Sequence, residues 1–125
     1  MELRAFLVED SRNTRLLLED LFASLGGLSL VGQAGTEAEA KLWLSEHAGE
    51  WDLAIVDLIL AQGSGFEVLS CARQLPGRKR VVVFSGFTSP AVLAHCKALG
   101  ADAVFDKALP EDFIRWLAAQ RDAPA

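Results

Sequence analysis

The stretch LAIVDLIL at residues 53–60 places one carboxylate, that of Asp57, inside an otherwise apolar run. A charged group in such a run carries a desolvation cost unless it lies at a strand end with a partner or a chemical role. The residues before it, 53–56, form a short continuous apolar segment, which is typical of a strand buried on both faces. We therefore interpret 53–56 as a buried strand that delivers Asp57 at its carboxyl end.

Three other apolar segments end in polar groups in the same way. They lie at residues 3–8, 81–84 and 103–105, and a weaker strand is predicted at 28–34. The polar residues that follow the three segments are Glu9 and Asp10, Ser85, and Asp106 and Lys107. Four predicted strands therefore each present polar chemistry at their carboxyl ends.

Helical patterns separate the predicted strands. Ser11 or Asn13 can cap the first helix, and Ser89 before Pro90 is a good start for the fourth. The third helix is predicted over roughly 66–74. Connections of this length suit right-handed crossovers in a parallel sheet, so the chain is predicted to be α/β, with five parallel strands covered by helices on both faces.

The bulk composition fits one such domain. The 125 residues are 51% hydrophobic and 23% charged, with a net charge of -5 and a pI near 4.9. These values argue against disorder and give no electrostatic footprint for nucleic acid or an anionic membrane. We expect residues 1–125 to form one domain, with a core at 1–121, a frayed tail at 122–125 and no output segment.

The cysteines and the amino terminus predict a cytoplasmic protein. Cys71 and Cys96 lack ligand spacing and are interpreted as free thiols in a reducing compartment. Residues 1–4 do not resemble a signal peptide, and no apolar stretch approaches the roughly 20 residues of a membrane-spanning helix.

The predicted sheet gathers the polar strand ends into one cleft, because ligands of open α/β sheets bind outside the carboxyl ends of the strands. The residues placed there are Glu9, Asp10, Asp57, Ser85 and Lys107. Three carboxylates in one cleft repel each other, and a hard divalent cation would relieve this. Since only oxygen ligands are available, Mg²⁺ is favoured over zinc or a redox metal, and Mn²⁺ could substitute.

The same residues suit phosphoryl transfer to a carboxylate. Asp57 is the candidate nucleophile, which would form an aspartyl-phosphate, while Glu9 and Asp10 hold the metal. Lys107 and the Ser85 hydroxyl can each donate to a phosphoryl oxygen. Phosphoryl transfer needs mainly positioning and charge neutralisation, and this set provides both.

The chain resembles a receiver domain of the two-component response regulators, similar to the chemotaxis regulators, over essentially its whole length. The motifs that carry the resemblance are LVED at 7–10, VDL at 56–58, the glycine-rich GSGFEVL at 63–69, FSG at 84–86, GADA at 100–103, and Lys107. Each motif is weak alone, but their order and spacing are specific.

This resemblance implies a flavodoxin-like (βα)5 sheet in the order 2-1-3-4-5. It also implies Mg²⁺-dependent phosphotransfer to Asp57 from a histidine kinase or a histidine phosphotransfer protein, with the Ile59 backbone carbonyl as a further metal ligand. Ser85 would be a conformational switch, and helix four, strand five and helix five would form the surface that contacts a downstream protein. Phosphorylation-linked dimerisation is possible, and the domain would be a self-dephosphorylating switch rather than a turnover enzyme.

Three positions depart from the family pattern. Val104 occupies the place of the switch aromatic, and Phe105 is considered as a shifted replacement. Ala108 replaces the proline that follows the lysine, so we predict either a trans Lys107–Ala108 bond with a rearranged loop or a strained bond. Ala61 replaces a common proline and is expected only to loosen its loop.

Two alternatives remain open. A receiver-like interaction module that works without phosphorylation is motivated by Val104 and Ala108. A hydrolase with an Asp nucleophile is disfavoured, because Ile59 lies where such enzymes need a second acid.

Ile59 and Phe87 are apolar, and we hypothesise that they slow hydrolysis of the phosphorylated state.

Four large side chains are assigned mainly structural positions. We predict Trp43 in the core and Trp116 partly exposed, with an interface role as one option for Trp116. His47 and His95 are predicted at the surface or its boundary.

Overall fold

Five strands and five helices alternate along the chain in the computed structural model, which describes residues 2–77 and 79–123. The strands are β1 Leu3–Val8, β2 Leu28–Ala34, β3 Leu53–Val56, β4 Arg80–Ser85 and β5 Ala103–Asp106. The helices are α1 Arg12–Leu25, α2 Glu37–Glu46, α3 Gly65–Arg73, α4 Pro90–Ala98 and α5 Pro110–Asp122. None of these helices is long and apolar enough to cross a membrane.

The strands form a parallel sheet in the order β2-β1-β3-β4-β5, as predicted. The chain moves outward from β1 to β2, then returns past β1 to β3 and continues to β5. The direction of winding therefore reverses between β1 and β3, and a crevice opens at their carboxyl ends.

The core lies on both faces of this sheet, because side chains of β3 alternate between two apolar clusters. Ala54 and Val56 belong to the cluster that includes buried residues of α2, α3 and α4. Leu53 and Ile55 belong to the cluster that includes buried residues of α1 and α5. All four residues of β3 are buried, which explains why this strand reads as a continuous apolar run.

The observed boundaries differ from the predicted ones by a residue or two. Ser11, rather than Asn13, caps α1 by accepting a hydrogen bond from the amide of Thr14. The α3 helix begins at Gly65 with Ser64 as its cap. The α5 helix ends at Asp122, and residues 124–125 of the predicted frayed tail lie outside the described residues, as does Arg78.

The aromatic residues lie in three different environments. Trp43 was predicted in the core; it is half-buried and stacks on Phe6, with ring centroids 4.0 Å apart. Trp116 is partly exposed, as predicted, and contacts Phe105. Trp51 was not predicted to be part of the core, yet it is fully buried, with the Lys79 ammonium 4.5 Å from its ring centroid.

The predicted surface positions of the two histidines agree with the structure. His47 is half-buried and stacks on Trp43, whereas His95 is exposed on α4 and contacts Phe66 of α3. Both cysteines are free; Cys96 is buried and Cys71 is half-buried.

Gly65 allows α3 to begin directly against the end of β3. A Cβ atom at this position would lie 2.0 Å from the Asp57 carbonyl oxygen and 2.6 Å from the Leu58 Cα. Both are backbone atoms of the segment that carries Asp57, so neither can move without displacing that residue. Only glycine permits this approach.

We predict that Gly65→Ala lowers the free energy of unfolding by about 1–3 kcal/mol, the usual cost of overpacking a close contact. Urea denaturation measures the change. Gly86→Ala is the matched control, because no atom lies within 4 Å of a Cβ placed there. Equal stabilities of the two variants would contradict the steric argument.

Candidate functional site

An open cleft of about 400 Å³ lies at the carboxyl ends of β1, β3, β4 and β5. The residues that line it are Glu9, Asp10, Ser11, Asp57, Ile59, Ser85, Gly86, Phe87 and Lys107. The structure therefore brings together every residue that the sequence placed at the site, and adds Ser11 and Gly86.

Backbone hydrogen bonds continue the sheet for one residue beyond the strands and so position three of these side chains. The Glu9 amide donates to the Ala34 carbonyl at 2.8 Å, and the Asp57 amide donates to the Val8 carbonyl at 2.9 Å. The Lys107 amide donates to the Ser85 carbonyl at 3.0 Å. The sheet's own hydrogen bonds thus hold the backbone that carries these functional groups.

Three carboxylates converge in the cleft. Glu9, Asp10 and Asp57 each offer one oxygen, and these oxygens lie within 4.8 Å of one another. Glu9 is only 2% exposed and Asp57 only 5%, whereas Asp10 is exposed. Clustered oxygen ligands that face an open cleft fit Mg²⁺, which binds through a few carboxylates and retains several waters.

Lys107 is the one cationic side chain among the described residues that line the cleft. Its Nζ lies 2.5 Å from Glu9 Oε1 and 2.8 Å from Asp57 Oδ2. The other oxygens of the two carboxylates accept backbone amides: Ser11 donates to Glu9 Oε2 at 3.2 Å, and Ile59 donates to Asp57 Oδ1 at 3.3 Å. Both buried carboxylates are therefore held in fixed orientations.

Burial and neighbouring charges separate the pKa values of the two buried carboxyl groups. Burial raises the pKa of Asp57, but hydrogen bonds from Lys107, Ser85 and Glu9 together outweigh it and the net pKa is lowered. Burial also raises the pKa of Glu9; the neighbouring Asp57 charge adds to this effect, Lys107 opposes it, and the pKa reaches about 7. Asp57 is thus the more acidic member of the pair.

Lys107 stays protonated despite its partial burial. Burial lowers its pKa, but the hydrogen bonds and charges of Asp57 and Glu9 outweigh this effect and raise the pKa overall. The ammonium therefore remains available as a donor to Asp57.

Ser85 and two apolar side chains complete the cleft. Ser85 is buried, and its hydroxyl oxygen accepts a hydrogen bond from the Phe87 amide at 3.2 Å. Ile59 is 58% exposed and Phe87 45% exposed. The carboxylates of the cleft thus have two exposed apolar side chains, Ile59 and Phe87, as neighbours on its lining.

Phe105 does not occupy the place of the switch aromatic. Val104 packs against the cluster that includes Val92 and Cys96 of α4. Phe105 faces the opposite side of the sheet, where its ring centroid lies 5.7 Å from that of Phe113 on α5. Since consecutive residues of a strand point to opposite faces, Phe105 cannot replace Val104 by a shift of one position.

The Lys107–Ala108 peptide bond is trans, which is one of the two predicted outcomes. The loop after it is organised by Asp106. One Asp106 oxygen accepts the Ala108 amide at 2.8 Å, and the other accepts the Thr88 hydroxyl at 2.8 Å. The β4–α4 loop and the end of β5 are therefore linked through Thr88 and Asp106.

Two contacts near the cleft were not predicted: the Thr88–Asp106 hydrogen bond and a hydrogen bond from the Ser64 amide to Glu37. The sequence indicated only that Glu37 is an acid in a first helical turn. The partners are 18 and 27 residues apart, too far for helical or strand periodicity to relate them, and they belong to none of the motif pairings described above.

We predict that the Glu9 carboxyl makes the metal-free protein less stable as pH rises from about 4.5 to about 7. In that interval the folded protein binds more protons than the unfolded chain, whose glutamate has the ordinary pKa, so stability falls with increasing pH. Glu9→Gln should reduce this loss. Urea denaturation in a chelator at pH 5 and pH 8 tests it.

Glu46→Gln, which removes an exposed carboxylate of α2, is the control for a general change in charge. It should leave the pH dependence of the wild type unchanged. An identical pH dependence in Glu9→Gln and wild type would contradict the prediction.

Comparisons with known proteins agree with this geometry. The response regulator receiver domain model matches residues 5–117. The transcriptional activator DevR/DosR of Mycobacterium tuberculosis is 32% identical over 101 residues, which cover 78% of this chain and 44% of that protein. The chain thus spans under half the length of this relative.

Solved structures share the fold. A chain in the CheX-CheY-BeF3-Mg²⁺ complex from Borrelia burgdorferi superposes with a TM-score of 0.85 at 20% identity, covering 98% of this chain and 90% of that one. The response regulator domain of Thermotoga maritima CheB gives a TM-score of 0.83 at 19% identity, covering 100% of both chains. The chain belongs to the response regulator receiver domains of two-component systems.

Proposed function

We propose that this receiver domain is a phosphorylatable switch that accepts a phosphoryl group on Asp57 from a histidine kinase or a histidine phosphotransfer protein. The observation that carries the proposal is the environment of Asp57. It is an ionised carboxylate at the end of the central strand, 2.8 Å from the Lys107 ammonium, beside two further carboxylates in an open cleft.

In the proposed reaction, an Asp57 carboxylate oxygen attacks the phosphorus of a phosphohistidine. The new O–P bond forms as the P–N bond breaks, and the imidazole leaves with the electron pair and takes up a proton. Lys107 neutralises charge on the phosphoryl oxygens, and the Ser85 hydroxyl donates to one of them. The rigid strand ends hold the acceptor in line with an incoming group.

The residues that would hold Mg²⁺ are Glu9, Asp10, Asp57 and the Ile59 backbone carbonyl, and Mn²⁺ could substitute. When bound, the metal would neutralise charge on the transferring phosphoryl group. The carboxylate cluster supports this assignment, because the negative charge of three carboxylates exceeds the single positive charge of Lys107, and their oxygens are ligands that Mg²⁺ prefers.

The phosphorylated state would act on a downstream protein through the surface of α4, β5 and α5, and phosphorylation-linked dimerisation is compatible with this proposal. Movement of Ser85 toward the phosphoryl group would pull the loop that contains Phe87 and Thr88. Since Val104 replaces the switch aromatic, the Thr88–Asp106 hydrogen bond offers a route from this loop to β5. A cytoplasmic location and action as a switch rather than a turnover enzyme are parts of the same proposal.

We predict that incubation with Mg²⁺ and a small phosphodonor adds the mass of one phosphoryl group to the protein, and that Asp57→Asn abolishes the gain. Mass spectrometry of the intact protein measures it. Asp20→Asn, which removes an exposed carboxylate of α1, should be phosphorylated like the wild type.

The other outcomes of this experiment separate the alternatives. A protein that gains no mass would instead be an interaction module that works without phosphorylation. Repeated turnover of a phosphoester would indicate the hydrolase, which is disfavoured because Ile59 lies where a second acid is needed.

We predict that Phe87→Ala accelerates loss of the phosphoryl group about fivefold, or ~1 kcal/mol in the barrier, because the apolar ring hinders the attacking water. Following the phosphorylated mass after removal of the donor gives the rate. Leu42→Ala is the matched control, since Leu42 is a similarly exposed apolar residue of α2 outside the cleft. Equal rates for wild type and Phe87→Ala would refute the hypothesis.

A further inference from the structure

The loop between β3 and α3 has two side chains buried in the core, Leu58 and Leu60, followed by an exposed tip. Ala61, Gln62 and Gly63 are all exposed. The loop also contains Ile59, whose amide donates to Asp57 Oδ1 at 3.3 Å and whose carbonyl is a proposed metal ligand. Leu58 and Leu60 anchor the first half of the loop, but the exposed tip that leads to Ser64, the bridge partner of Ile59, needs a contact from outside the loop to keep one conformation.

Glu37, the first residue of α2, contacts this loop at two points. Its amide donates to the Gln62 carbonyl at 3.1 Å, and its side-chain Oε1 accepts the Ser64 amide at 2.8 Å. The amide would otherwise be one of the unsatisfied donors at a helix start. Two residues of the exposed loop are thereby attached to a rigid helix.

The carboxylate of Glu37 is itself held in place. Its second oxygen, Oε2, lies 2.8 Å from Lys41 Nζ, one turn further along α2. Hydrogen bonds from Lys41 and then from the Ser64 amide lower the pKa of Glu37, so the acceptor stays ionised. A Cβ at Gly63, whose φ is +82°, would lie 2.3 Å from the Glu37 Cβ, so the loop lies in close contact with this side chain.

The contact reaches the cleft through one further pairing. Ser64 forms an antiparallel bridge with Ile59, and the adjacent Gly65 amide donates to the Leu58 carbonyl at 3.1 Å. Glu37 fixes Ser64, Ser64 pairs with Ile59, and Ile59 contacts the Asp57 carboxylate. No other side chain of the described residues hydrogen-bonds the Ser64 amide.

We propose that Glu37 is a positioning residue of this receiver domain, which clamps the β3–α3 loop through the Ser64 amide and so sets the Ile59 carbonyl for Mg²⁺. The inference rests on the proposed function, because it concerns the same site. Glu37 would act from outside the cleft, through Ser64 and Ile59, and would touch neither the metal nor the phosphoryl group.

A simpler role must be separated from this one. An acid in the first turn of a helix stabilises that helix through its charge, and a negative charge near a metal site raises cation affinity at long range. Glu37→Gln removes the charge but keeps a carbonyl that accepts the Ser64 amide. Glu37→Ala removes both, so the difference between the two variants isolates the hydrogen bond.

The first measurement is amide hydrogen exchange in the metal-free protein. Loss of one hydrogen bond should speed exchange at Ser64 and Ile59 about fivefold in Glu37→Ala, while Glu37→Gln stays within about twofold of the wild type. Lys41→Met, which leaves the Glu37–Ser64 contact intact, is a second control.

The second measurement is Mg²⁺ affinity, from a titration of the Trp fluorescence or by calorimetry. We expect about fivefold weaker binding in Glu37→Ala than in Glu37→Gln. Glu37→Met keeps the side-chain length without an oxygen acceptor, so it supplies the same comparison if the alanine variant folds poorly.

Two results would overturn the inference. Equal exchange rates of the Ser64 amide in the alanine and glutamine variants would show that Glu37 does not hold the loop. Equal Mg²⁺ affinities of the two variants would show that Glu37 does not position the metal site. Either result leaves the proposed function intact if the wild type is still phosphorylated on Asp57. Failure of the wild type to bind Mg²⁺ or gain a phosphoryl group would instead overturn the proposed function, and the positioning role with it.

Discussion

The ion pair between Lys107 and the two buried carboxylates is the interaction on which the site depends. One ammonium lies within 2.8 Å of oxygens of both Glu9 and Asp57, while Asp10 adds a third carboxylate nearby. Removing carboxylates from water is costly, and a single lysine only partly compensates for it. The raised pKa of Glu9 is the expression of that imbalance. A site with this excess of negative charge favours a divalent cation, and the fold tolerates the cost because strand ends hold the groups in place.

The groups of the cleft are held in two different ways, by the sheet and by contacts between side chains and loops. Asp57 and Glu9 are held by the sheet ladder, whereas Ile59 and Phe87 lie in loops that hydrogen bonds to side chains help to hold. Glu37 holds one of these loops and Asp106 holds the other. Each contact is one or two hydrogen bonds, an interaction small enough to be remade when the charge of the cleft changes.

Most of the fold could be predicted from the sequence because it follows from local patterns. Continuous apolar runs marked the buried strands, and crossover-length helices implied their parallel arrangement. Strand boundaries differed by only a residue or two, at the ends of β4 and β5, where polar residues continue the ladder. Trp51 was missed because it lies outside any periodic segment, although it is fully buried. Trp43 was predicted in the core and is only half-buried, because its ring lies over the edge strand at Gly32.

The sequence by itself determined which residues share the cleft, since parallel strands deliver their carboxyl ends to one edge of the sheet. Only the tertiary structure decided how those residues are held. It placed Phe105 on the face opposite Val104, and it joined Glu37 to Ser64 across 27 residues. The positions of the strand ends can be predicted because they follow from patterns among residues that are neighbours in the sequence. Contacts between loops depend on how helices pack against the sheet, and that packing exists only once the whole chain has folded.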